Sequence, residues 1–156
     1  MTASRQTLAE YEPEAGEAFD AVVYINVLEH IADDTQEFQL AAKALLPGGA
    51  LLVFGPALEW LYSELDYRAG HYRRYSLRRL RALVATAGLE VVSARYFDVL
   101  GVVPYLVVYR WLRHDGISGS TLWGYDRVLV PLTQLLQRVL VSPPLGKNVV
   151  LIAVKR

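Results

Sequence analysis

Residues 19–34 read FDAVVYINVLEHIADD, and the fold is decided in this stretch. Ala21 to Ile25 is a continuous run of apolar, β-branched and aromatic residues, the pattern of a strand covered on both faces as in a parallel sheet. Asn26 marks its end. Asp33 or Asp34 is a suitable helix N-cap, and Asp34 with Glu37 has the spacing of a capping box. Phe38, Ala41, Ala42 and Leu45 then recur at helical spacing and predict a stripe that packs on a sheet. Pro47, Gly48 and Gly49 stop that helix, and Ala50 to Gly55 reads as a second buried strand.

Working outward, the alternation continues. Ser76 caps a predicted helix whose Leu77, Leu80, Leu83, Val84 and Ala87 face inward, while Arg78, Arg79 and Arg81 face water and Gly88 ends it. Glu90 to Phe97 and Asn148 to Val154 predict two further strands, so the chain reads as an α/β domain. Residues 1–18 form a polar N-terminal segment without the apolar core of a signal peptide, which predicts a cytoplasmic protein. With 156 residues, 53% of them hydrophobic, there is material for one core and no call for a second domain. Sixteen basic and sixteen acidic residues cancel, so no global field draws the chain onto nucleic acid. The lack of cysteine excludes disulfides, thiolate metal sites and a cysteine nucleophile.

Three stretches in this order, FDAVVYINVLEHIADD (19–34), LLPGGALLVFGPA (45–57) and GHYRRYSLRRLRALVATAGLEVVSARYF (70–97), resemble the later half of a class I S-adenosylmethionine-dependent methyltransferase. The resemblance implies a partial Rossmann-like sheet, containing the later strands only, with a helical insertion before the last strand. It also implies S-adenosyl-L-methionine as cofactor. The family's opening strand, its GxGxG turn and the acid after its second strand have no counterpart here. Gly48 and Gly49 follow a helix and precede a strand, the opposite polarity to a nucleotide-cradling turn. Cofactor binding by this chain alone is therefore expected to be weak or absent. The family's sheet order would also leave Ala21 to Ile25 as an open hydrophobic edge, a pairing hazard. The expectation is a fragment of a longer enzyme, or a half-domain completed by self-association or by a partner.

Ligands of open α/β sheets sit at the carboxyl ends of strands, the position of Asn26 to His30. By resemblance, Asn26, Val27, Leu28 and Glu29 line the cofactor, and Glu29 with His30 stands at the border with the methyl acceptor. A histidine can take a proton at neutral pH, which makes His30 a candidate catalytic group. The alternative is a loop histidine and an acid bound to backbone amides. RAGHYRRY (68–75) lies where the family builds its acceptor site, and offers His71 as a second catalytic candidate. Tyr72, Arg73, Arg74 and Tyr75 are candidates for binding the acceptor, since arginine clamps carboxylate or phosphate through a planar fork of donors. The competing reading of the arginines is a solvated basic face.

About fifty residues separate the last two predicted strands. Within 98–147, VLGVVPYLVVYRWLR (99–113) and YDRVLVPLTQLLQRVLV (125–141) are apolar but interrupted by Pro104, Arg110, Pro131 and Arg138. Neither has the roughly 18 unbroken apolar residues of a membrane span. A helical lid over a hydrophobic acceptor pocket is expected. Peripheral membrane contact is the alternative, because Tyr105, Tyr109, Trp111 and Trp123 stand beside arginines as interfacial anchors do. The residues thus predict methyl transfer to a small or lipid-like acceptor, against a non-catalytic half-domain that binds through its open edge. Other α/β chemistries lack their motifs: there is no GxxxxGK[ST], GxSxG or HExxH, and with three scattered histidines no metal chemistry is expected.

Overall fold

The computed structural model describes residues 8, 18–106, 127, 131, 135 and 143–156. Four strands form one sheet: β1 (Phe19–Ile25), β2 (Leu45–Pro56), β3 (Glu90–Phe97) and β4 (Asn148–Val154). Their spatial order is β1-β2-β4-β3. β1 and β2 run parallel, joined by helix α1 (Asp34–Ala44), whereas β4 is antiparallel to both β2 and β3. A short helix α2 (Glu64–Arg68) and helix α3 (Leu77–Thr86) separate β2 from β3, and α4 (Val102–Tyr105) follows β3.

Local chemistry accounts for the boundaries. The Asp33 side chain accepts from the Gln36 amide at 2.9 Å and caps α1. Glu37, read as the partner in a capping box with Asp34, accepts instead from the Tyr24 hydroxyl at 2.6 Å and ties α1 to β1. Helix α1 ends at Ala44, and β2 begins at Leu45 rather than Ala50, because Leu45 already pairs with Phe19 across a register shift. Gly48 adopts φ +81°, and a Cβ on Gly49 would stand 2.9–3.0 Å from the carbonyls of Leu46 and Phe19. Pro47, Gly48 and Gly49 are thus a tight bend within the start of β2, not the stop of the helix, which already ends at Ala44. Ser76 caps α3 through the Arg79 amide as predicted, and Gly88 at φ +73° ends that turn of chain.

Helices α1 and α3 cover one face of the sheet. Tyr24, Leu51, Val53, Val149, Leu151 and Ala153 are buried there against Phe38, Ala41, Leu80 and Val84. The expectation that β1 is covered on both faces is corrected: Val23 is 53% and Ile25 58% exposed, since alternate residues of a strand point to opposite faces and α1 and α3 lie on one. The edge reading holds. Among the described residues β1 pairs with a strand on one side only. Much of the 98–147 insertion, including Tyr109, Trp111 and Trp123, lies outside the described residues. Tyr105 is buried rather than placed as an interfacial anchor, because its ring and hydroxyl pack into the core beside α2. No helix among the described residues is long and apolar enough to cross a membrane.

Candidate functional site

β1 and β2 are parallel, so their carboxyl ends open at the same rim of the sheet. Past β1, Asn26 takes the left-handed conformation (φ +52°), which asparagine tolerates better than most residues, and its amide donates to the Phe54 carbonyl at 2.9 Å. A single 3-10 turn follows over Leu28–His30. Past β2, residues 71–75 run back along the same rim. The Tyr72 amide donates to the Glu29 carbonyl at 2.7 Å, and the Tyr75 amide to the Pro56 carbonyl at 2.9 Å. These backbone bonds strap the second candidate stretch onto the first.

The strap brings His30 and His71 together, with ring centroids 4.7 Å apart in an edge-to-face arrangement. Glu29 is buried between the strand end and the strap, and burial pushes its carboxyl up from the ordinary range. The two histidines and Arg74 oppose that shift without cancelling it. Glu29 Oε2 is buried and has no hydrogen-bond partner among the described residues. One ligand-type atom from each of Glu29, His30 and His71 lies within 4.8 Å of the others.

His71 is held from behind. Its Nδ1 is 2.9 Å from Asp66 Oδ1, and Asp66 is almost wholly buried. Ser63 donates to Asp66 from its backbone amide at 2.9 Å and from its hydroxyl at 3.1 Å, so the Ser63-x-x-Asp66 box that starts α2 also fixes this carboxylate. The Arg74 Nε donates to Oδ1 and the Tyr105 hydroxyl to Oδ2, at 2.9 and 2.8 Å. Burial raises the Asp66 carboxyl, but the Arg74 guanidinium and the surrounding donors overcome it and hold the group below its usual range. The Tyr105 phenol is pushed up to about 12, by burial first.

The remaining candidates divide. Asn26 and Val27 are exposed at the rim, while the Leu28 side chain is in the core and leaves only its backbone at the rim. Tyr72 is exposed beside the Arg73 guanidinium, which lies 5.8 Å from its ring centroid. Arg73 also pairs with Asp34 at 2.9 Å and donates to the carbonyls of Ile31 and Ala32. Arg74 is buried, paired with Asp66 and stacked 4.3 Å from the Tyr105 ring centroid. The Tyr75 hydroxyl donates to the Leu28 carbonyl at 2.9 Å and to Asp34 at 3.2 Å, and burial raises its pKa. The arginine stretch is therefore neither an open anion clamp nor a solvated face, because two buried acids of the chain already occupy it. Arg79, predicted to face water, donates to both oxygens of the same Asp34. Asp66, absent from the sequence-based candidates, is announced only by its box with Ser63 and by standing five residues before His71.

A family model described as "Methyltransferase domain" matches residues 3–94. Among curated proteins none matches the sequence. Among solved structures, the chain is similar to Haemonchus contortus phosphoethanolamine N-methyltransferase 2 in complex with S-adenosyl-L-methionine. The identity is 18% and the TM-score 0.53, covering 95% of this chain and 35% of that one. A SAM-dependent methyltransferase from Archaeoglobus fulgidus gives 14% identity and a TM-score of 0.52, over 89% of this chain and 60% of that one. The cyclase SpnF gives 15% identity and 0.55, over 98% and 54%. The chain thus spans about a third to three fifths of the length of these three structures, and at such identities the likeness concerns the fold.

Proposed function

Since the chain belongs to the methyltransferase-domain family, we propose that it forms the acceptor-side half of an S-adenosylmethionine-dependent methyltransferase acting on a small or lipid-like acceptor. The observation that carries this reading is the shared rim of β1 and β2, where Asn26 to His30 meets His71 across the backbone strap. When bound, S-adenosylmethionine supplies a methyl group already activated on a sulfonium, so the protein's task is mainly in-line positioning. The residues present fit one side of it: Asn26 and Val27 form an accessible wall at the end of β1. The Gly-rich turn and ribose-binding acid that would form the facing wall are not in the sequence. We place that wall in an upstream segment of a longer protein or in a second chain. His30 and His71 stand on the acceptor side, where an acceptor that loses a proton needs a base or a Lewis acid.

Calorimetric titration with S-adenosylhomocysteine, on a sample of known mass and far-UV circular dichroism, tests this. Binding of at least about millimolar strength, worth roughly 4 kcal/mol, is expected, and Val27→Asp should abolish it. A folded chain that binds nothing at that concentration overturns Asn26 and Val27 as a cofactor wall that suffices without the facing half. The second reading, a half-domain that pairs through its edge without cofactor, is favoured by the exposure of Val23 and Ile25 on an edge strand. It predicts a stable oligomer in the same experiment.

A further inference from the structure

We propose that Glu29, His30 and His71 bind a divalent transition-metal cation, zinc(II) or one of similar preference, at the rim of the sheet. Three observations converge on it. The donor set is two imidazoles and one carboxylate, which suits zinc and related cations better than magnesium or calcium. All three candidate donor atoms lie within 4.8 Å of one another. In a tetrahedral zinc site, donors about 2.1 Å from the metal stand about 3.4 Å apart, so the cluster must contract by up to about 1.4 Å. His30 is exposed and its ring can rotate to do so.

The second observation is the orphaned oxygen. Glu29 Oε2 is buried and unpartnered among the described residues, although a buried polar atom left without a partner costs about 1–3 kcal/mol. A cation between it and the two rings supplies the missing partner. Gly55 lies beside that oxygen, and a Cβ there would stand 3.4 Å from it, so the glycine keeps this flank open.

The third is the support behind His71. Metal-bound histidines usually give their other ring nitrogen to a carboxylate, which fixes the tautomer and strengthens the ligand. Asp66 occupies that position at 2.9 Å from Nδ1 and leaves Nε2 to face the cluster. Asp66 is itself pinned by Ser63, Arg74 and Tyr105, a degree of fixation that a loop histidine with no ligand does not require. Three protein ligands leave at least one coordination position open, and the exposed His30 side gives it access to solvent. Resting on the methyl-transfer reading above, that position suits an acceptor that presents an oxygen.

Tag-free protein titrated with cobalt(II), a visible reporter of zinc-type sites, should develop the intense bands of four- or five-coordinate metal at one equivalent. Zinc should bleach them. His30→Ala, at an exposed position, and the near-isosteric Glu29→Gln should each weaken cobalt binding at least tenfold with an unchanged circular dichroism spectrum. Azide should shift the bands by entering the open position. Failure to bind cobalt at one equivalent by the folded chain, or bands that persist in both variants, would overturn the site. The readout needs no cofactor, so it fails or succeeds separately from the S-adenosylhomocysteine titration.

Discussion

Asp66 holds His71, Arg74 and Tyr105 together behind the rim. Asp66→Asn keeps the shape but leaves Arg74 buried without its counter-charge, a change that costs about 3–5 kcal/mol. Urea unfolding should read that loss directly. The wild-type pH dependence follows from the same group. Arg74 and the surrounding donors hold its carboxyl below the ordinary carboxylate range in the folded chain, and it returns to that range when unfolded. The stability it contributes is therefore complete above about pH 4 and disappears as the pH falls through the lower, folded value. Unfolding curves between about pH 2 and 5 should show an acid limb that Asp66→Asn flattens. A limb of equal slope in both proteins would move the acid sensitivity elsewhere. Tyr75→Phe is a milder test, expected to cost about 1–2 kcal/mol by removing the donor to Leu28 and Asp34. At this scale the sequence was only half legible. Histidines, arginines and tyrosines stand out in RAGHYRRY, but their partners, Asp34 and Asp66, are single acids in ordinary capping positions. Which acid meets which arginine depends on two loops converging in space, and no local spacing encodes that.

Among the elements, strands β3 and β4 begin and end where the apolar pattern placed them, because each is bounded by glycine, proline or charge and pairs from its first residue to its last, apart from a bulge at Val92. β2 was misjudged at its start, since Leu45 fits the helical stripe of α1 equally well and only its pairing with Phe19 decides between the two. Tertiary pairing, which no one-dimensional period contains, settles such ties. Two glycines make the connections testable. A side chain on Gly146 would overlap the Phe97 backbone, and one on Gly49 would crowd two carbonyls. Gly146→Ala should therefore destabilise more than Gly49→Ala, and both more than Ser76→Ala, whose lost cap costs about 1 kcal/mol. Thermal melts of the three variants rank them. Equal melting temperatures for Gly146→Ala and the wild type would mean that the connection into β4 is looser than described.

For the molecule as a whole, the consequential asymmetry is a sheet that, among the described residues, has one helix-covered face and an apolar edge. The sequence predicted the edge by way of the family's strand order, whereas the bare face escaped it because a run such as AVVYI carries no mark of which side has a neighbour. Val23→Lys should change the stability of the isolated chain by no more than about 0.5 kcal/mol, as the side chain is already half in water. It should nonetheless lower self-association in sedimentation runs, since an edge lysine discourages strand pairing. Unchanged association would place any contact between copies away from β1. The position of β4 has a consequence of another kind. It lies between β2 and β3, with Val154 opposite both Ala50 and Glu90, so among the described residues the middle of the sheet is made by the strand that follows the other three in sequence. On the ribosome, β1, α1 and β2 can assemble early, but β3 has no strand to join until residues 148–154 have cleared the exit tunnel. Nascent chains should therefore stay protease-sensitive until β4 has emerged and then acquire their resistance in one step.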